Sequence, residues 1–346
     1  MVNALLCLCA FAVGPTESLS RFEATQPHMG TSFEIVLYAP DSELANKAFR
    51  AAFTRIAELN RVMSDYDAKS ELSKLSNSAP TSVPVELSND LFRVLAAADL
   101  LSRRTEGAFD VTVGPLTKLW RRARRREEFP DADLLQAARA ATGYQNLRLD
   151  PVTKSAELLV PNMRLDLGGI AKGYAADEAL RAMSEAGVTR AIVNAGGDVV
   201  ASDAPPGEIG WRVGVASLEP NTPPSRFLRL ANGAVATSGD IWQHVEIDGI
   251  RYSHILNPRT GLGLTIRSSV TIVAASGIVS DSLASAVSVL GPVDGLKLVE
   301  ETAHAEALIL TQGATGSEEF QSSGFRSLLA SDGAIHRDVS KSNADE

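Results

Sequence analysis

The sequence predicts an α+β fold, on three observations. Runs of strand composition mix with helical segments without a regular βαβ period. The strand-like runs end at Gly or Pro turns, and nothing in the chain reads as a repeat or an interdomain linker. With 346 residues, 45% hydrophobic and 22% charged, there is apolar material for one large or two modest cores.

In chain order, MGTSFEIVLYAP (29–40) has the content of a strand and stops at Pro40, and an apolar-periodic helix follows across Asp41 to Met63. A second helix runs from about Asn89 to Arg104. In TEGAFDVTVGPLTKLW (105–120), Thr112, Gly114 and Pro115 make a constrained connection into Leu116, Leu119 and Trp120. A planar ligand could lie against such a wall with Asp110 bonding its polar edge; the plainer alternative is a strand-to-helix junction around a buried Phe109.

RAIVNAGGDVVA (190–201) reads as a buried strand broken at Gly196-Gly197, and SSVTIVAAS (268–276) as another strand. DAPPGEIG (203–210) and LEPNTPPSR (218–226) are Pro-rich turns. VSDSLASAVSVLG (279–291) is helix-compatible, with Ser280 placed to cap its start and Gly291 to end it. The last residues, 331–346, form a polar tail.

A net charge of -9 and a pI near 5.2 argue against non-specific nucleic-acid binding, which relies on Lys and Arg neutralising phosphates. The one basic run, Arg121, Arg122, Arg124, Arg125 and Arg126, is followed by Glu127 and Glu128 and reads as a solvated helix face. Both cysteines, Cys7 and Cys9, fall in the first ten residues, so chemistry beyond them uses no thiol, disulfide or Cys-ligated metal. The apolar run Ala4–Val13 with its A-x-A-like Ala10-Phe11-Ala12 makes residues 1–20 a candidate signal peptide or export segment, although a charged n-region is missing.

RLDLGGIAKGYAADEAL (164–180) has the glycines and lysine of a phosphate-binding loop. It fits neither common template. Lys172 is followed by Gly173 rather than Ser or Thr, and Gly168 and Gly169 are adjacent where a dinucleotide fingerprint spaces them.

On the 279–291 helix, Asp281 and Ser285 sit four apart on one face. Carboxylate and hydroxyl together suit a hard cation such as Mg²⁺; by itself the segment reads rather as an acidic first turn favoured by the helix dipole. In YSHILNPRTG (252–261), His254 ends a strand-like run beside a turn, where an imidazole could accept a proton or simply be satisfied by backbone. VATSGDIWQ (235–243) and VNAGGDV (193–199) are two small-residue loops with an acid, either of which is also ordinary turn chemistry.

Taken together and in order, MGTSFEI, MSDYDAKSELSKLS, GAFDVTVGPLTKLW, LDLGGIAKGYAAD, VNAGGDV, TSGD, YSHILNPRTG and VSDSLASAVSVLG resemble, block by block, the ApbE family of FAD:protein FMN transferases. The resemblance covers about Gln26 to about Leu329. It implies mixed sheets flanked by helices in a single compact catalytic domain, residues 21–330. It further implies an Mg²⁺-dependent transfer of FMN from FAD, the substrate, to a Thr or Ser hydroxyl of a target flavoprotein, with release of AMP.

By the same resemblance, Asp166 and Lys172 contact FAD, and the Gly169 carbonyl joins Asp281 and Ser285 around Mg²⁺. Met29, Ala108, Phe109 and Asp110 match flavin-binding positions, and His254 matches the catalytic base at the cofactor. Two positions depart from the family pattern: Ser285 stands where Thr is usual, and Asn257 where Asp is common.

An Mg²⁺-dependent FAD pyrophosphatase giving FMN and AMP would use the same residues, and a non-catalytic flavin-binding protein is a third reading. The partners expected are FAD and the acceptor protein, with no nucleic acid and with membrane association only through the target or the N-terminal segment. The expected location is exported, periplasmic or on the outer face of the inner membrane, or cytoplasmic if residues 1–20 are not a signal.

Overall fold

The computed structural model describes residues 18–219, 222–240 and 243–330. The apolar run Ala4–Val13, both cysteines and the polar tail lie outside the described residues. At the centre is an eight-stranded sheet whose strands lie side by side in chain order: Ser20–His28, Thr31–Ala39, Ala191–Ala195, Asp198–Ala201, Gly233–Gly239, Ser268–Ala274, Glu306–Gly313 and Gly316–Gln321. Every neighbouring pair is antiparallel.

Tight turns account for part of that pairing. Met29 (φ 50°) and Gly30 (φ 73°) occupy left-handed backbone between the first two strands, the twist a two-residue hairpin demands. Gly196 (φ 67°) and Gly197 (φ 104°) do the same between the third and fourth. A Cβ on Gly196 would lie 2.2 Å from Thr31 Oγ1, so the two hairpin ends are stacked against each other.

Among the described residues seven α-helices accompany the sheet: α1 (Ser42–Met63), α2 (Glu71–Asn77), α3 (Asn89–Arg104), α4 (Gly114–Arg126), α5 (Ala132–Ala140), α6 (Ala171–Glu185) and α7 (Gly277–Glu300). The start of α1 is capped by Asp41, whose carboxylate accepts from Leu44 N at 2.8 Å. Phe33, Ile35 and Leu37, alternate residues of one strand, bury against Ala48, Ala52 and Ile56 of α1 and the apolar faces of α6 and α7. Each such large side chain contributes about 1.5–3 kcal/mol before entropy is counted. Val36, on the opposite face, joins Trp211, Val213, Leu228, Leu230 and Phe325 in a second cluster. Burial on both faces explains why the second half of this strand, residues 35–39, is continuously apolar.

A third cluster sets the position of the hairpin His244–Ile247 and Ile250–Ser253. Val245, Ile247 and Tyr252 pack on Leu116, Trp120 and Ala123 of α4, and Trp120 Nε1 donates to Gly261 O at 2.8 Å.

The α+β reading holds, with three local corrections. Residues 105–113 form turns rather than a strand, Val113 making one isolated parallel bridge to Arg164 before α4 starts. The 279–291 helix begins earlier, at Gly277, and Ser280 is not its cap. Ser280 Oγ instead bonds Gly277 O at 3.2 Å, and the free N–H groups of Gly277 and Ile278 are taken by Asp177 from α6. Gly291 does end the first segment: its φ of 77° and ψ of -178° break α7 ahead of Pro292. Among the described residues α7 alone is long and apolar enough to cross a membrane, but half of its apolar window is buried in this core.

Candidate functional site

The LDLGGIAKG segment runs as a turn into the first residues of α6 and meets α7 there. The approach is close enough to demand glycine. A Cβ on Gly169 would lie 2.5 Å from Ser285 Oγ, and one on Gly173 would lie 2.0 Å from Gly277 O and 2.9 Å from Asp281 Cβ. Asp281 Oδ2 accepts from Gly173 N at 3.1 Å. Gly169, Ser285 and Asp281, far apart in the chain, are thus neighbours.

Lys172 projects from the same turn of α6. Its ammonium bonds the Asp198 carboxylate and lies 3.6 Å from Asp281 Oδ1. Burial works to lower the Lys172 pKa, but the two carboxylates outweigh it and the net movement is upward. Burial, reinforced by the charge of Asp281, pushes Asp198 up to about 7 against the opposing pull of Lys172. Asp198 reaches this place because it follows the Gly196-Gly197 hairpin, which is stacked on the Thr31 end of the Met29-Gly30 turn. Met29, half-buried in left-handed backbone, is therefore at the same end of the sheet.

Asp166 begins the glycine turn. Its Oδ1 accepts from Gly168 N at 2.9 Å and its Oδ2 from Arg121 at 3.1 Å. Arg121 also bonds Asp65 and lies 4.3 Å from the centroid of the Tyr66 ring, which is 78% exposed. The basic run on α4 is thus more than a solvated face: Arg121 joins the glycine turn to an open aromatic ring suited to stacking a planar group.

The 105–110 loop supplies packing. Ala108 and Phe109 are buried, and Phe109 Cε2 would stand 3.6 Å from a Cβ on Gly169, so the ring backs the glycine turn. Asp110 uses both carboxylate oxygens inside the protein: Oδ1 accepts from Thr112 N and Oγ1 at 2.8 and 2.7 Å, and Oδ2 from Tyr144 N at 2.8 Å. Burial raises its pKa against those bonds. A cavity of about 440 Å³ opens beside this loop, lined by Gly107, Asp110, Arg139, Tyr144 and Arg259 among others but by none of Gly169, Lys172, His254 or Asp281.

His254 follows the hairpin packed on α4. Arg251 of that hairpin bonds buried Asp240 at the end of the Gly233–Gly239 strand, which moors the hairpin to the main sheet. His254 Nδ1 lies 3.0 Å from Gln243 O. A carbonyl only accepts, so Nδ1 carries the proton and Nε2 keeps its lone pair. The ring is open to solvent on one side yet sits among protein atoms, and that loss of hydration lowers its pKa despite the Gln243 bond; the charges of Arg124, Asp240 and Lys172 all reach it.

Asn257 retains the turn where Asp is the expected residue. Its Oδ1 accepts from Arg259 N at 3.0 Å. Arg259 then donates to the carbonyls of Thr105 (2.8 Å) and Glu106 (3.2 Å), tying the His254 loop to the Phe109 loop.

The fold therefore gathers Gly169, Lys172, Asp281 and Ser285, with Asp166, Phe109, Met29 and His254 around them. It adds Asp198, Arg121, Tyr66 and Asp240, which motif reading left as turn acids, a charge run and an unassigned aromatic. No cluster of three or more His, Cys, Asp or Glu with metal-holding geometry occurs among the described residues. Asp281 and Ser285 bring one carboxylate and one hydroxyl beside the glycine turn, hard oxygen donors of the kind Mg²⁺ takes while leaving positions for phosphate and water.

Comparison with known proteins first defines the class. The flavin transferase ApbE from Vibrio cholerae superposes with a TM-score of 0.78 at 30% identity, over 90% of this chain and 100% of that one. The ApbE protein from Thermotoga maritima gives 0.79 at 30% identity, over 89% and 99%. The architecture is that of the flavin transferases. In sequence, the FAD:protein FMN transferase of Vibrio cholerae is 32% identical over 338 residues, 95% of this chain and 100% of the relative. That of Haemophilus influenzae is 30% identical over 294 residues, 82% and 84% of the two chains. The ApbE family model matches residues 29–309, and this chain belongs to the ApbE family.

Proposed function

We propose that this protein is an FAD:protein FMN transferase that moves FMN from FAD to a Thr or Ser hydroxyl of a flavoprotein, releasing AMP in an Mg²⁺-dependent reaction. The observation that carries it is the meeting of Lys172, Asp198 and Asp281 against Gly169 and Ser285, with His254 within reach of the Lys172 charge. Family membership supports the same reading.

Mg²⁺, when bound by Asp281, Ser285 and the Gly169 carbonyl, would neutralise charge on the FAD pyrophosphate, which otherwise repels a nucleophile. Lys172 adds a fixed positive charge beside those phosphates, and Tyr66 offers an aromatic face for a ring of the cofactor. Loss of hydration lowers the His254 pKa, which favours the neutral imidazole. Its Nε2 is the acceptor for the hydroxyl proton as the oxygen attacks phosphorus, a contribution of about 10²–10⁴-fold. The O–P bond to the acceptor forms as the bond to AMP breaks, and no covalent enzyme intermediate is required.

We also propose that the chain acts after export, on the strength of the Ala4–Val13 segment and a remainder without cysteine. The decisive experiment incubates the purified protein with FAD, Mg²⁺ and candidate periplasmic flavoproteins and follows in-gel flavin fluorescence and acceptor mass. An acceptor heavier by one FMN supports transfer. Free FMN and AMP with an unmodified acceptor would favour the pyrophosphatase reading instead.

A further inference from the structure

Helices α6 and α7 meet along a ladder with a spacing of four. On one side stand Gly169 of the glycine turn, Gly173 and Asp177; on the other, in reverse order, Ser285, Asp281 and Gly277. Gly169 faces Ser285, and Gly173 faces both Asp281 and Gly277. At the far end, Asp177 Oδ1 accepts from Gly277 N at 2.7 Å and Oδ2 from Ile278 N at 2.9 Å. Ser276, at the capping position, makes no side-chain bond there, and among the described residues Asp177 is the side chain that caps α7.

We infer that Asp177 is a positioning residue for the cation site, holding the start of α7 in the register that sets Asp281 and Ser285 opposite Gly169. The reasoning is geometric. Asp281 lies one turn beyond Gly277, and Ser285 one turn beyond that, so a shift in the first turn of α7 is carried to both oxygen donors by a rigid helix. The glycine contact limits how closely the helices approach; a Cβ on Gly277 would lie 2.4 Å from Gly173 O. Such a contact is steric, however, and resists compression better than it resists sliding. The two bonds accepted by the Asp177 carboxylate are directional and, at the first turn of α7, add to the Gly173 N–H bond to Asp281 Oδ2 in fixing the helix along its axis. Placed on the same helix as Lys172, Asp177 also ties the cationic and the acidic halves of the site to one rigid body.

This inference rests on the Mg²⁺ reading, and the test separates the two. Asp177→Ala, Asp177→Asn and Asp281→Ala are compared with wild type by calorimetric titration of Mg²⁺ into the FAD-loaded protein, alongside the Mg²⁺ midpoint and kcat of flavin transfer. Asp177→Ala is expected to raise the Mg²⁺ midpoint about 10-fold, the usual cost of losing a group that orients a ligand, with kcat at saturating Mg²⁺ largely kept. Asp177→Asn, which retains one acceptor oxygen, should shift it less, and it decides the matter if the alanine variant does not fold. Lower thermal stability with an unmoved Mg²⁺ midpoint would mean an ordinary helix cap and overturn the inference. If Asp281→Ala raises the midpoint and neither Asp177 variant does, only the positioning role falls. If Asp281→Ala leaves it unmoved, the metal reading falls and this inference with it.

Discussion

The ammonium of Lys172 lies 3.6 Å from Asp281 Oδ1 while bonding Asp198 on its other side, so one cation from a helix start neutralises acids from another helix and from the sheet. Removing it leaves two acids with little solvation. Breaking a buried pair by deleting one partner costs about 3–5 kcal/mol. With the Lys172 side chain 27% exposed, Lys172→Met should fall near or below the lower end of that range, about 2–3 kcal/mol after solvent screening. Urea unfolding without metal is the measurement; unchanged stability would show that the acids are solvated.

His254→Ala should lower kcat/KM for flavin transfer by about 10²–10⁴-fold while leaving FAD binding much less affected. The wild-type pH profile carries a second signature. The working form of His254 is neutral, so activity is lost as pH falls through its pKa, and burial places that acid limb below 6.5. A limb at higher pH, or one that survives in His254→Ala, would assign the titration to another group.

Asp281→Ala should abolish Mg²⁺-dependent turnover, whereas Ser285→Ala should reduce it less. A carboxylate contributes charge to the cation and a hydroxyl only a dipole. Titrating MgCl₂ against both variants checks the order; equal activity of Asp281→Ala and wild type in excess Mg²⁺ refutes the assignment.

Gly173→Ala tests the helix crossing itself. Its methyl would arrive 2.0 Å from Gly277 O, so α6 and α7 must separate. Overpacking of this kind costs about 1–3 kcal/mol. Thermal unfolding should register the loss, and the Mg²⁺ requirement should rise with it, since Asp281 and Gly169 move apart. A variant as stable and as active as wild type would show the crossing to be looser than described.

Several elements were legible because their signals are local. The apolar period places α1 after Pro40, Asn89–Arg104 is helical as expected, and Gly291 ends a helical segment at a left-handed φ. The start of α7 was not legible: its cap comes from Asp177, a hundred residues earlier in the chain. The site divides the same way. The glycine turn and the Asp281–Ser285 pair could be picked out as motifs, but nothing near Asp198 in the chain marks it as the partner of Lys172.

The sequence by itself determined the class of fold, the family and the candidate residues, because turn chemistry, hydrophobic period and residue type are properties of short segments. The tertiary structure decided which candidates lie together, that Asp110 is engaged internally, and that Arg121, Asp198 and Asp240 belong to the surroundings of the site. The physical reason is reach. A carboxylate's partner is set by whichever helix or strand packs against it, and packing joins groups that chain distance keeps apart.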